Sequence, residues 1–288
     1  MTPQTTSCRL ALHGPRSQIV KLAAKRGRSG KIQWTYRLPT TAPAGSWTAR
    51  ATCGKTTSAA RAFVVQAPVL KAKVAAASDG FTQSNYGDGS QTFISYGAVL
   101  HNTATQVDAL DLNVAVSFTD TLGRSVATEN TTLTGIPAGG TFYLGGLASS
   151  NVSLTVASMK VAVTVGSTQS HRLILPPVTG LGFQTDSDGN DSISGTFENP
   201  YKQAIPSTAN IYVVYLDSQG SVVGGASEFA GASVEPRDFV AFGFSSDSST
   251  INSSFIPASE VSTVDGSIDP CGGIPGGSCP AQLPAQAS

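Results

Sequence analysis

Apolar and polar residues alternate with period two through most of this 288-residue chain. Leu112, Val114, Val116 and Phe118 fall on one side of the stretch DLNVAVSFTD, and Ile211, Val213 and Tyr215 do the same in IYVVYLD. Such alternation predicts strands with one buried face, because successive side chains of an extended chain point to opposite sides. No helical period persists over a useful length. Gly123 and Gly220 follow these strands inside D-T-L-G and D-S-Q-G, where a glycine takes positive φ without steric cost. Each predicts a tight turn into a strand beginning near Val126 or Val222. Pro-bearing loops come next, Gly135 to Gly140 and Ala232 to Arg237, then strands around Phe142 and Phe239. The final strands, Val161 to Val165 and Val261 to Val264, are expected to end at Gly166 and Gly266. Short strands punctuated at regular intervals predict an all-β chain of sandwiches.

The pattern also repeats. Tyr96 to Asn102 (YGAVLHN) returns as Ile193 to Asn199 (ISGTFEN), a spacing of 97 residues. The same spacing relates Phe118, Asp120 and Gly123 to Tyr215, Asp217 and Gly220, and Phe142 to Phe239. Matching hydrophobic, turn and glycine positions in otherwise diverged segments indicate a duplicated fold. Proline restricts the chain at Gln66-Ala67-Pro68 and at Pro176-Pro177, so these read as short, semi-rigid linkers. The expected division is a first domain over 1–66, repeat one over 69–175, repeat two over 178–269, and an irregular Gly/Pro-rich tail over 270–288.

Composition changes this picture in one respect. The net charge is zero, yet residues 1–78 contain no acid and carry Arg9, Arg16, Lys21, Lys25, Arg26, Arg28, Lys31, Arg37, Arg50, Lys55, Arg61, Lys71 and Lys73. All 18 acids lie at or beyond Asp79. A division this complete concerns partners or packing rather than fold. Only 12% of the chain is charged, and Ser and Thr supply roughly a fifth, a surface solubilised by hydroxyls as in many secreted β-rich proteins. No span is long and apolar enough to cross a bilayer as a helix.

Candidate chemistry is sparse. The chain holds no G-x-S-x-G, H-E-x-x-H, P-loop or S-x-x-K motif, so neither an enzyme nor a cofactor is expected. The four cysteines, Cys8, Cys53, Cys271 and Cys279, suit disulfides in an oxidising compartment; free thiols or a metal site are the alternatives. Asp186, Asp188 and Asp191 form an acidic stretch with oxygen ligands for calcium, although its glycine and missing twelfth-position acid depart from the EF-hand pattern. A polar hairpin turn explains it as well, as it does Asn85 to Gly89. Trp34 alternates with Ile32 and Tyr36 and is expected in a core, whereas Trp47 follows a turn and, with Tyr86, is a place to look for a sugar-stacking platform. Lys25, Arg26, Arg28 and Lys31 form a cationic cluster suited to a polyanion. No aromatic residue is interleaved from His13 to Gln33 and no groove-reading helix is predicted, so nucleic acid is not the expected partner.

Two resemblances sharpen these expectations. Cys8, Gly30 to Trp34, Leu38-Pro39, Pro43 to Trp47, Cys53-Gly54 and Ala62 to Val65 together resemble an immunoglobulin-like domain of secreted actinobacterial proteins. The resemblance implies that Cys8 and Cys53 pair across a sandwich. It also implies a strand or two before Cys8 and a signal peptide before those, making Met1 an internal start or a boundary within a longer chain. Met1 to Leu10 has neither the basic opening nor the apolar stretch of a secretion signal. Each repeat resembles the FxLYD-type immunoglobulin-like module of bacterial envelope proteins: Val116 to Asp120 and Val213 to Asp217 keep the Asp with the aromatic shifted, and Ala98 to Asn102 and Gly195 to Asn199 carry the preceding Asn. Tandem immunoglobulin-like or fibronectin-like sandwiches are implied, with no catalytic residues to transfer. The resulting expectation is a non-enzymatic secreted or envelope protein, a spacer and binding surface for a protein or an anionic envelope polymer. The alternative is an accessory glycan-binding part of an extracellular enzyme system.

Overall fold

Eighteen strands and two short 3-10 turns account for the regular structure of the described residues, in a computed structural model that describes 6–27, 32–39, 42–66, 70–85, 91–170, 173–185, 191–245, 256 and 258–272. The chain is all-β, and it divides into two compact units, Met1–Val69 and Leu70–Ser288.

In the first unit, β1 (Thr6–His13) and β4 (Gly45–Cys53) pair antiparallel at the centre of one sheet. Strands β2 (Ile19–Lys21) and β3 (Lys25–Gly27) pair with the free edge of β1, and β5 (Thr56–Thr57) and β6 (Arg61–Val65) with that of β4. Directly opposed residues share a face, so Cys8, Leu10 and Leu12 of β1 lie with Cys53, Ala51, Ala49 and Trp47 of β4 and with Phe63 of β6. This is the buried face. Trp47 is 1% exposed, its indole stacks 6.3 Å from the Phe63 ring, and its Nε1 donates to Pro43 O at 3.0 Å. Gly14 lies under the indole, where any Cβ would strike the ring. The expectation for the two tryptophans is thus reversed. Residues 32–39 join no ladder, and Trp34 is only half-buried, with Nε1 donating to Ala23 O at 3.2 Å.

Cys8 and Cys53 are disulfide-bonded, as the resemblance implies, but they face each other on adjacent strands of the same sheet, with Cα atoms 4.0 Å apart. The bond staples β1 to β4 rather than joining two sheets. Closing a 45-residue separation, it removes unfolded-state entropy worth about 4 kcal/mol, a large share for so small a unit.

The second unit holds the duplication. Repeat one is a sandwich of two three-stranded sheets, β11–β8–β7 and β10–β9–β12, from β7 (Val74–Asn85), β8 (Thr92–Asn102), β9 (Val107–Thr119), β10 (Ser125–Ile136), β11 (Thr141–Ser150) and β12 (Ser158–Ser170). Repeat two has the same strand order, β17–β14–β13 and β16–β15–β18, from β13 (Val178–Thr185), β14 (Asp191–Glu198), β15 (Asn210–Leu216), β16 (Val222–Phe229), β17 (Phe239–Ser245) and β18 (Thr263–Asp269). The register agrees in detail: Val126 and Val223 are each the extra residue of a β-bulge after the turn.

Two landmarks shift. Phe142 opposes Leu100, whereas Phe239 opposes Glu198, so the true counterpart of Phe142 is Val240, opposite Phe197. One residue is inserted within Gly231–Ser233, since Ala230 N still bonds Ala209 O while Val234 already stands where Ile136 does. A one-residue slip exchanges the faces of a strand: Phe142 is 1% exposed and Phe239 is 72% exposed. Nor do the final strands stop at glycine. β12 runs through Gly166, opposite the irregular Asp111 with φ 53°, and β18 runs through Gly266, opposite Val213.

The sandwiches are not held apart at Pro176-Pro177. Sheet β16–β15–β18 of repeat two lies face to face on sheet β11–β8–β7 of repeat one, making a stack of four sheets. In the middle of this seam, repeat one presents bare backbone. Gly80, Gly97 and Gly145 form one cross-strand row of repeat one, and a Cβ on any of them would run into the backbone of Val222, Gly224 or Val213 and Ala226. Around the row, Ser95 Oγ donates to Gly225 O at 2.8 Å and accepts from Gly225 N at 3.0 Å, Thr82 Oγ1 donates to Val223 O at 2.7 Å, and Tyr143 N donates to Ser267 Oγ at 3.0 Å. At one margin Asp269 takes both the backbone N–H of Thr134, at 3.1 Å, and its hydroxyl. Buried donors and acceptors are therefore met across the seam, as burial requires.

Candidate functional site: a cationic sheet face

The residues that carry the repeat motifs do structural work. Asn102 is fully buried; its Nδ2 donates to Val107 O at 3.0 Å and to Ile136 O and Pro137 O at 3.2 Å, and its Oδ1 accepts from Ala104 N at 3.1 Å. Asn199 repeats this with Gln203 O at 2.9 Å, Val234 O at 2.8 Å and Tyr201 N at 2.9 Å. Each asparagine ties two loops to the end of its sandwich. Asp120 Oδ1 accepts from Leu122 N and Arg124 N, both at 2.9 Å, and Asp217 Oδ1 from Gln219 N and Ser221 N, both at 2.8 Å. These carboxylates close the turns whose Gly123 and Gly220 sit at φ 76° and 78°. The buried phenols of Tyr96 and Tyr201 are pushed up by desolvation, away from any acid–base role near neutral pH, and Tyr212 for the same reason to about 12.

The other face of the first unit's sheet is different in kind. Opposed pairs place Ser7 with Arg26, Arg9 with Thr52, Ala11 with both Lys21 and Arg50, and His13 with Ile19 and Thr48. Arg9, Lys21, Arg26 and Arg50 therefore share one face, and all four are exposed. Arg9 is the hub. The other three are its diagonal neighbours across the ladders, with separations of roughly 7–8 Å. Like charges gathered on neighbouring positions of one face repel one another, most strongly at low salt. No acid occurs before Asp79, so nothing within the unit offsets the repulsion.

The structure regroups the sequence-predicted cations. Lys25 opposes Cys8, on the buried-face side of the sheet edge, and its Nζ donates to Gln33 O at 2.9 Å; Arg26 opposes Ser7 on the cationic face. Arg28 and Lys31 lie outside the described residues. Arg9, Lys21 and Arg50 escape a search for charge runs because they are spread over 41 residues and meet only through strand pairing. Their signal was the period: in CRLALH and WTARATC each arginine alternates with apolar residues.

Asp186 and Asp188 also lie outside the described residues; Asp191 opens β14, paired with Thr185 across the hairpin that this acidic stretch connects. Cys271 is disulfide-bonded, and Cys279 lies outside the described residues. Buried Trp47 cannot serve as a sugar-stacking platform, and Tyr86 is outside the described residues.

No family model matches the chain, and no curated protein matches it. Among solved structures, it is similar to a crystal structure of the tetra-tandem repeat in the extending region of a large adhesion protein, at 17% identity and a TM-score of 0.20. That similarity covers 86% of this chain, which spans 60% of the length of that structure. With a TM-score so low, the fold assignment rests on the sheets and registers of this chain itself.

Proposed function

We propose that the chain is a non-enzymatic spacer and binding protein of the cell exterior, in which two stacked immunoglobulin-like modules of the FxLYD type stiffen the chain and a basic first domain makes contact with a protein or an anionic envelope polymer. The observation that carries this reading is the glycine-lined seam. Two modules joined by a free Pro-Pro linker would swivel, whereas backbone packed on backbone through Gly80, Gly97 and Gly145 fixes one module on the next. The disulfide at Cys8 and Cys53 fits an oxidising compartment outside the cytoplasm. The residues shared by the repeats act as loop ties and turn closures, which is what a module kept for its shape needs.

Force spectroscopy on the full chain tests the spacer. If the seam couples the sandwiches, the roughly 200 residues beyond Leu70 release in one event near 700 Å of contour, from about 3.5 Å per residue. Two independent events of roughly 350 Å each would show modules that merely touch, and would overturn the reading.

A further inference from the structure

We propose that the open face of the first sheet binds a linear polyanion bearing phosphate or sulfate groups, held by Arg9, Lys21, Arg26 and Arg50. This rests on the reading of the chain as a binding protein and commits it to one surface and one ligand chemistry. The four cations lie on four strands, with β2 and β3 end to end along one edge of β1 and β4 along the other, so at a strand spacing of about 4.8 Å the strip is roughly 10 Å wide. The side chains between them are small, Ser7, Ala11, Thr48 and Thr52, which leaves the strip shallow and open along its length. Three of the four are arginines, whose planar forks take two oxygens of a tetrahedral anion at once. An anion at the hub lies within reach of several cations, and its binding removes the mutual repulsion that the unit cannot relieve from its own sequence.

The same face argues against two neighbouring ligands. Among the described residues, its paired strand positions carry no Phe, Tyr or Trp on which nucleic-acid bases could stack. Its exposed apolar residues, Ile19 on β2 and Val64 on β6, stand on opposite edge strands roughly 14 Å apart and form no continuous wedge for a lipid surface.

The test is binding of fluorescently labelled long-chain polyphosphate to the full chain, by anisotropy, between 50 and 200 mM salt. Engagement of about four cations gives a slope of log affinity against log salt near −3, a loss of roughly 60-fold over that range. The variant R9Q/K21Q/R26Q/R50Q should lose at least tenfold in affinity at 50 mM and most of the salt slope. The control R16Q/R37Q/K55Q/R61Q removes the same charge from exposed positions outside the cluster and should stay within threefold. Near-UV circular dichroism from the buried Trp47 reports whether each variant is folded; if the fourfold change unfolds the unit, Arg9→Gln alone should still weaken binding several-fold. Equal losses in the two fourfold variants would mean attraction by net charge without a site. Absence of binding at 50 mM, preference for vesicles with 30% anionic lipid at equal phosphate, or salt-sensitive self-association in place of polyphosphate binding would each overturn the proposal. None of these results alters the pulling experiment, so the spacer reading stands or falls separately.

Discussion

Strands β9 and β15 are the same element in the two copies of one fold, and they differ where it matters. Facing inward, Leu112, Val114, Val116 and Phe118 are matched by Ala209, Ile211, Val213 and Tyr215, all buried. Facing outward, β9 shows Asn113, Ala115 and Ser117, and β15 shows Asn210, Tyr212 and Val214. Tyr212 and Val214 are 4% and 0% exposed, because the sheet of repeat one lies on them. Inward residues thus specify the sandwich, and outward residues decide whether a sandwich ends there or continues into another. Glycine makes the matching choice on the partner sheet. The row Gly80, Gly97 and Gly145 is covered, while the equivalent row of repeat two, Gly182, Ser194 and Gly243, faces outward on β13, β14 and β17.

The largest effect should come from filling the seam. Gly145→Val forces a side chain into the backbone of Val213 and Ala226, and should destabilise the second unit by about 3 kcal/mol or more, roughly 6–12 °C in Tm. Its counterpart Gly243→Val meets only Ile193 O at ordinary contact distance, 3.5 Å, and should change stability by less than about 0.5 kcal/mol. Calorimetry of both variants decides it; similar losses would mean that the seam is not tighter than an open face. Next comes the exchange of outward residues. Val214→Ser leaves a cavity and a hydroxyl in the seam, for about 2–3 kcal/mol, whereas Ser117→Val on the outward face of β9 should be within about 0.5 kcal/mol. Urea midpoints measured side by side would refute the contrast if the two variants differed by less than the error of the fit.

Sequence pattern alone reaches the sandwiches and the duplication, because both are written in local periodicity and turn glycines. It stops short of the stack. IYVVYLD contains an unbroken apolar run, the mark of a strand covered on both sides, yet its odd-numbered positions alone satisfy the alternation and conceal the second face. Val222-Val223-Gly224-Gly225 looks like a weak strand near a turn, and only the facing sheet shows why side chains are missing there. The insertion within Gly231–Ser233 has no hydrophobic marker, so a constant spacing of 97 pairs Phe142 with Phe239 instead of Val240. The cationic face was half legible: period two puts Arg9 and Arg50 opposite the apolar side, but which strands adjoin is a long-range fact.

Where the copies agree, equal effects are expected. Asn102→Ala and Asn199→Ala each leave buried carbonyls without donors, for about 2 kcal/mol apiece. A loss confined to one repeat would mean that only one asparagine ties its loops in solution; chemical denaturation with each single variant measures it.

The smallest effect separates two turns that share every backbone bond. Asp120 and Asp217 each receive two backbone N–H groups, but residue 124 is Arg and residue 221 is Ser. The backbone N–H of Arg124, followed by its side chain, whose Nε donates to Asp120 Oδ2 at 2.7 Å, and by Leu122 N–H, outweighs desolvation and holds the Asp120 carboxyl below the usual carboxylate range. A carboxyl with a depressed folded-state pKa contributes its stability in full above the unfolded value, near 3.9, and loses it as pH falls through the lower folded value. Stability should therefore drop below about pH 4 in the native protein, and Asp120→Asn should flatten that acid limb while lowering stability at neutral pH. Asp217→Asn has no guanidinium contact to lose, so at neutral pH it should lower stability less than Asp120→Asn does. Urea midpoints from pH 2 to 7 for both variants make the comparison, and a native acid limb in Asp120→Asn would show that the Arg124 contact contributes nothing in solution.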